Sequence, residues 1–568
     1  MKKEPAKGFR LIFGYLGLFL AFEGIVILFP LLMLLFYPGE WKVFLDFLVP
    51  AAFDIGIGIL LYKLLVAGRE KMRFRPKEDS VLLVIIWIAA ILSGAFPFFL
   101  TQVSWLNFGD ANASLGMSFS ESFFEATSGF TTTGLTLFPS KAYLDGTLSS
   151  PLGVDSCSGY GYAHVFLFHR AFMQFIGGVG LVLLLTSIIS NRQNFKLYFA
   201  EGHNDQIVPN LGKSAKIIFL VYSGWVVAGS LGLWLAGMPP FEAVCHSMGC
   251  LATGGFSTRA EGIYFFSQKM PLGEISNLSY SVASGIGIEI ISCILMIAGA
   301  ISLVLHTFAL RGKFKDFFGD IEIIFFGALL VIGITVCTSS ITYLYNDGMG
   351  LDFLTSLRYG AYYTISSATT SGFANFPSIF KLGPVCFFMG WILMTIGGGM
   401  GSTSGGLKQY RVGILGKEFY WFLRYHDSSE RTISPRVVRR LGVVKQLSDE
   451  SVKEARNYTI LSLVVTSLGA MALMFLPRLP YISQGDWFQR CFYEFMNGFT
   501  SNGLSMMDYV GYKAAHPIAY QGFIWIETSA MFFGRLEILP IIFALWRFII
   551  DPIREARLNS KKARPSLD

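Results

Sequence analysis

Charge is scarce in this sequence. Only 15% of its 568 residues are Asp, Glu, Lys or Arg, while 53% are hydrophobic. A soluble globular chain carries about 25% charged residues. With 54 Phe and a mean hydropathy of +0.53, the composition points away from a soluble protein and predicts a polytopic membrane protein. Histidine is scarcer still, with seven residues and no HExxH, which argues against a membrane metalloenzyme. The seven cysteines include no CxxC, and an odd number spread through apolar stretches argues against a disulfide framework. Cys245, His246 and Cys250 stand close together and read as packing residues of a membrane segment rather than metal ligands. No cleavable leader is expected either. The charged Met1–Arg10 start has no small-residue cleavage site after a short apolar core, and the run Leu11–Tyr37 exceeds the roughly 20 residues that span a bilayer.

The charge that exists is placed in hydrophilic loops. Basic residues gather at Arg69, Lys71, Arg73, Arg75 and Lys77, then at Arg192, Lys196, Lys213 and Lys216, and at Arg311, Lys313 and Lys315. The largest group runs from Lys408 to Arg456 and includes Arg436, Arg439 and Arg440; the tail adds Arg554, Arg557, Lys561, Lys562 and Arg564. The positive-inside rule predicts that these loops and both termini are cytoplasmic. The basic loops alternate with apolar spans, so the charge reports topology and not a nucleic-acid partner.

The chain repeats itself. "FFEATSGFTTTGL" (Phe123–Leu135) matches "FYEFMNGFTSNGL" (Phe492–Leu504), and weaker copies end at "CLATGGF" and "SATTSGF". The copies align on Gly134, Gly255, Gly372 and Gly503, at separations of 121, 117 and 131 residues. Before each motif lies an apolar span: Val81–Leu100, Ile217–Ala236, Ile323–Tyr345 and Tyr458–Leu476. Next comes a stretch of about three turns, too short to cross: Ser118–Ser128, Phe241–Cys250, Leu354–Ala368 and Trp487–Gly498. A second span follows: Val165–Ser190, Gly287–Leu305, Cys386–Phe422 and Phe523–Ile550. The fold class expected is all-α: four parallel units of helix, re-entrant pore helix and helix around a central pore, preceded by two N-terminal transmembrane helices. The divisions expected are 1–76, 77–200, 201–315, 316–457 and 458–568.

Thr-Thr-Thr-Gly is poor helix material at membrane depth, where backbone polar groups must be satisfied by protein or water. Gly134 is the only residue of that stretch that takes a positive φ without strain. A half-helix that points its C-terminus inward brings partial negative charge to the membrane centre. Extended backbone after it can present carbonyls in place of a cation's hydration shell. The candidate ion-coordinating residues are Thr131, Thr132, Thr133 and Gly134; Ala252, Thr253, Gly254 and Gly255; Thr369, Thr370, Ser371 and Gly372; and Thr500, Ser501, Asn502 and Gly503.

"EATSGFTTTGLT", "TGGFSTR", "TTSGFANFP" and "NGFTSNGLSM" resemble the filter loops of the Trk/Ktr/HKT potassium-transporter superfamily, over nearly the whole chain. The two additional N-terminal spans resemble its TrkH branch. The resemblance implies K+ as the transported ion, with no organic cofactor on this chain. It implies a homodimer with one pore per subunit, and a cytoplasmic nucleotide-binding regulatory ring of RCK type, TrkA-like. It also implies a cell inner-membrane location, within membrane lipid. The chain has no TVGYG, so a multi-site potassium-channel filter is not implied, and Na+ permeation stays open.

"TIGGGMGSTSGGLKQYR" (Thr395–Arg411) is too rich in glycine for a rigid helix. It lacks the Gly-Lys-Ser/Thr ending of a phosphate loop and sits in a membrane span. By resemblance it is an intramembrane gate, formed by Gly397, Gly398, Gly399, Gly401, Gly405 and Gly406. Arg535, inside the apolar "FFGRLEILP", is two residues from Glu537 and so on a different helical face. An intramembrane charge is a functional candidate by default, and by resemblance Arg535 is a positive constriction. The mixed-charge loop 408–457 reads as helix-compatible, either a docking site or a solvated linker. An alternating-access cation (Na/K) symporter of the same fold is the competing expectation. Inverted repeats and paired intramembrane carboxylates usually accompany that mechanism, and here the repeats are parallel and such carboxylates few.

Overall fold

The computed structural model describes residues 8–69, 78–106, 108, 114–139, 142–143, 163–180, 211–269, 282–344, 351–376, 379–425 and 436–550. The basic clusters at 71–77 and 192–196, the basic tail, and the part of the expected Val165–Ser190 span beyond Gly180 lie outside them.

The fold is mostly helical. Among the described residues, six helices are long and apolar enough to cross a membrane: Phe9–Leu35, Pro38–Leu65, Glu78–Leu100, Ala215–Leu235, Ile321–Tyr343 and Asp449–Met474. Two further spans are bent pairs. Exposure is inverted relative to a soluble protein. Leu220, Leu231, Leu235, Val331, Ile332 and Leu468 face outward, while Glu125, Arg170, Gln174, Glu494 and Glu527 are buried. Apolar side chains need no protein cover in lipid, and charged ones do. This is a multi-pass membrane protein.

Four shorter helices stand where short stretches were expected: Phe119–Phe130, Pro240–Leu251, Phe353–Ala368 and Gln484–Thr500. Each has a local reason to begin. Ser118 and Glu121 form a reciprocal capping box. Pro240 occupies a first-turn position, where its missing N–H costs nothing. Asp352 and Ser483 accept the N–H groups of Thr355 and Asp486 at 3.3 and 3.1 Å.

Two expected spans are not continuous. The expected span Gly287–Leu305 is broken: Gly285–Ala300 and Leu303–Leu310 meet at 108°. Phe523–Ile550 likewise breaks: Pro517–Arg535 and Ile538–Phe548 meet at 104°. At the first break, the C-terminal carbonyls of Gly299 and Ala300 accept N–H groups from Thr403 and Gly399, at 3.2 and 2.8 Å. Leu303 donates to Gly401 at 3.2 Å. The glycine-rich loop thus takes over the bonds that a continuing helix would have made. At the second break Glu537 adopts a φ of 58° and ends the helix. The expected Cys386–Phe422 span is interrupted at its glycines, giving Pro384–Ile396 and Gln409–Tyr425.

The 408–457 stretch is not wholly helical. It contains an antiparallel hairpin, Val437–Arg440 with Val443–Gln446. Its two-residue turn puts Leu441 and Gly442 both at positive φ, 48° and 74°, which suits the twist of a tight hairpin.

Candidate functional site

The four Thr/Gly loops leave their short helices by the same geometry. In each, the N–H of the residue before the final glycine reaches back five residues. Thr133 donates to Ser128, Gly254 to Gly249, Ser371 to Ser366 and Asn502 to Asn497, at 2.9 to 3.0 Å. This is the Schellman closure of a helix end, and the left-handed residue it needs is usually glycine. Here that position holds Thr132, Thr253, Thr370 and Ser501, with φ of 54°, 51°, 52° and 55°. Thr132 thus joins Gly134 at positive φ, but as an L-residue it does so under strain. A left-handed L-residue costs about 1–2 kcal/mol, and three of these four are β-branched.

The glycines two residues later, Gly134, Gly255, Gly372 and Gly503, also have positive φ, 90°, 77°, 76° and 75°. Space requires them as much as torsion does. A methyl group on Gly134 would strike the carbonyl oxygen of Gly254; on Gly255, that of Ser371; on Gly372, that of Asn502; on Gly503, that of Thr133. The first loop touches the second, the second the third, the third the fourth, and the fourth the first. The four expected filter segments thus meet in a closed ring, glycine against the neighbour's carbonyl at each joint.

The ring is closer to twofold than fourfold. In the first and third loops the hydroxyls of Thr131 and Thr133, and of Thr369 and Ser371, pair at 2.8 Å. The second loop has Ala252 and Gly254 there and cannot. Gln174 fills the gap, its amide 2.5 Å from the carbonyl of Gly254. In the fourth loop Asn502 points at the sulfur of Met394, 3.6 Å away, and Thr500 bonds back to Met496.

The outer limbs of the loops are clamped from behind. Nine residues before each final glycine stand Glu125, His246, Tyr363 and Glu494. Glu125 accepts the N–H of Leu137 at 2.8 Å, and Glu494 that of Met506 at 3.0 Å. Arg170 binds Glu125 at 2.8 Å and the carbonyl of Ser257 at 3.0 Å, tying the first loop to the second. His246 bonds the carbonyl of Glu242 and the hydroxyl of Ser257. Its ring meets those of Phe266 and Phe373, and among the described residues no cluster able to hold a metal is found. Glu242 pairs with Arg259 at 2.5 Å. These clamps were missed from sequence, although the Glu shared by the first and fourth motifs marked two of them.

The glycine run lies against the inner ends of all four loops. Thr403 and Gly405 provide most of the contacts. The hydroxyl of Thr253 is 3.1 Å from that of Thr403. Thr370 accepts the N–H of Gly405 at 2.8 Å, and Ser404 donates to the carbonyl of Thr369 at 2.8 Å. Gly405 is seated against the carbonyl of Thr500 and the side chain of Ser501. Gly397 and Gly406 lie face to face, too close for a side chain on either. Gly398 lies against Ser404, while Gly399 and Gly401 bond the broken helix. The strained hydroxyl residues thus form the seats on which this segment docks.

Arg535 lies at the same level. It donates to the carbonyl of Thr403 at 2.8 Å, to the hydroxyl of Thr132 at 3.5 Å, and to the carbonyl of Gly177. Glu537 turns away and takes Arg411 in a two-point ion pair at 2.9 and 2.8 Å. A second cation, missed from sequence, is Lys408, which reaches the carbonyl of Ser404. Beneath them, Glu322 accepts the N–H of Met400 at 2.8 Å and pairs with Arg440 of the hairpin at 2.5 Å.

This geometry has relatives. The Trk system potassium uptake protein TrkH of Salmonella typhimurium is 26% identical over 551 residues, covering 94% of this chain and 98% of its own. The Trk system potassium uptake protein TrkG of Escherichia coli is 25% identical, covering 90% and 93%. The crystal structure of the potassium transporter TrkH from Vibrio parahaemolyticus superposes with a TM-score of 0.71 at 21% identity, over 94% of this chain and 98% of that one. The family model for TrkH, cation transport protein, matches residues 57–549, so the chain belongs to the TrkH family of cation transport proteins.

Proposed function

We propose that this chain takes up K+ through a channel-like pore whose selectivity filter is the ring of four Thr/Gly loops. The closed ring of glycine-to-carbonyl contacts carries this reading. Four helix C-termini directed at one axis favour a cation there, and backbone carbonyls suit a dehydrated alkali ion. The relatives named for potassium uptake support K+ as that ion. In this reading the short helices are re-entrant pore helices, and the divisions 77–200, 201–315, 316–457 and 458–568 are four parallel repeats following the helix pair 1–76.

Gly397–Gly406 is the gate, with Arg535 as its fixed charge. In water-poor surroundings a positive charge near the axis repels a passing cation by several kcal/mol at an effective dielectric of about 20. The gate is connected to the cytoplasm through Glu322 and Arg440, a route by which a nucleotide-binding ring of RCK type could act on it. The subunit pairs with a second copy in the inner membrane, with both termini cytoplasmic. The deciding experiment is Rb+ or K+ influx into proteoliposomes holding this chain, with and without the ring protein. Permeability equal to that of protein-free liposomes in both cases would overturn the reading.

A further inference from the structure

The helices after the first, second and fourth loops align with one another through their glycines. Gly177, Gly299 and Gly534 lie against the carbonyls of Phe130, Leu251 and Phe499, each four residues before a loop's final glycine. Seven residues before them stand Arg170, Ser292 and Glu527. In the first unit this position supplies the guanidinium for Glu125. In the fourth, Glu494 stands where Glu125 does, and the position opposite holds a second acid, Glu527. Both acids are fully buried.

Tyr509 joins them. Its hydroxyl oxygen is 3.0 Å from Oε1 of Glu494 and 2.9 Å from Oε2 of Glu527. A phenol has one hydrogen and can donate to only one of the two. The other contact is a hydrogen bond only if that carboxyl bears a proton and donates to the phenol oxygen. The surroundings decide which acid it is. Oε2 of Glu494 accepts the N–H of Met506 at 3.0 Å, which suits a carboxylate, whereas Oε1 of Glu527 has no hydrogen-bond partner. The order is Glu527 to Tyr509 to Glu494. Two buried carboxylates with no cation between them would instead carry a large desolvation and repulsion cost.

The groups on adjoining elements do not supply that cation. On Gln484–Thr500 the neighbours are Glu494, Cys491 and Arg490, whose guanidinium donates to the carbonyl of Met506 at 3.0 Å; on the helix of Glu527 itself, Tyr520. From Phe119–Phe130 come Glu121, taken by Lys513 at 2.6 Å and Tyr520 at 3.1 Å, and Glu125, taken by Arg170. On Asp449–Met474, Tyr458 lies under Arg411, which belongs to Glu537.

We propose that Glu527 is a proton-binding site, a neutral carboxylic acid at neutral pH whose single proton completes the hydrogen-bond chain that holds the outer limb of the fourth loop. Tyr509 is half-buried between exposed Asp508 and Val510, at the edge of the buried pair.

Infrared difference spectroscopy of the full chain in detergent tests this without reference to transport. At neutral pH, wild type minus Glu527→Gln should show loss of one protonated-carboxyl C=O band, with the small downshift in D2O that marks an exchangeable proton. Identical spectra in that region would overturn the proposal. Should Glu527→Gln fail to fold, Glu494→Gln reads the same proton. The chain then loses its charged end, so the Glu527 band must move in frequency, and an unmoved spectrum overturns the proposal equally.

Discussion

At the scale of single residues, the four loop glycines are demanded twice, by torsion and by the neighbouring carbonyl. Gly134→Ala or Gly372→Ala forces a methyl group into the next loop and pushes a carbonyl off the ring. The expected outcome is loss of Rb+ influx, or loss of discrimination against Na+, measured as inhibition of Rb+ influx by external Na+. Unchanged competition in all four glycine variants would remove these loops from the filter. Arg170 offers a sharper stability test. Arg170→Met leaves Glu125 buried without its guanidinium, a loss of roughly 3–5 kcal/mol when one partner of a buried pair is removed. Thermal unfolding in detergent should fall clearly, and more than for Arg439→Met, whose pair with Asp316 is partly exposed.

At the scale of elements, the glycine run caps a broken helix and is the segment proposed as the gate. It sits under the loops, and its N–H groups end the broken helix at Ala300. A short deletion within Gly397–Gly406 should raise Rb+ flux, and so should Arg535→Ala. Because Arg535 bonds the carbonyl of Thr403, the double variant should raise flux by less than the product of the two single effects. Thr370→Val tests the seat itself. It keeps the shape but leaves the N–H of Gly405 without its acceptor, an unmade buried bond worth about 1–3 kcal/mol. The closed loop is destabilised, and flux should rise several-fold. A flux equal to wild type in all of these well-folded variants would leave the glycines as packing features.

At the scale of the whole molecule, two consequences follow. The hairpin, Glu322 and the glycine run form one continuous set of contacts. Arg440→Ala should therefore weaken the effect of a bound nucleotide ring on flux while leaving the ring's co-purification intact. The second consequence concerns the fourth loop. With Glu527 as donor to Tyr509, Glu527→Gln keeps a donor there and should lower Rb+ flux less than Glu527→Leu, which removes it. Equal flux in the two variants would detach this group from transport.

Much of this was legible in sequence because it is local. Hydropathy marks spans wherever they lie. The short helices were found within a few residues because each begins at a Ser, Asp or Pro signal and ends in polar residues and glycine. Gly134, Gly255, Gly372 and Gly503 were found because a repeated motif needs no partner to be recognised. What failed to show was what depends on distant residues. Ser302 and Glu537 do not mark helix breaks by type; the first break is stabilised by a loop about 100 residues away in sequence. Thr132 and its counterparts are strained only because a Schellman closure and the glycine run beneath impose it. The acid at position 527 reads as one more buried charge until the fold sets it against Glu494, where Arg170 meets Glu125. Composition, periodicity and repetition thus determined that this is a membrane protein carrying four copies of one glycine motif. Only the tertiary structure decided that the four loops close into a ring and what stands beneath and behind it, because contacts between distant segments leave no local pattern for a single chain to display.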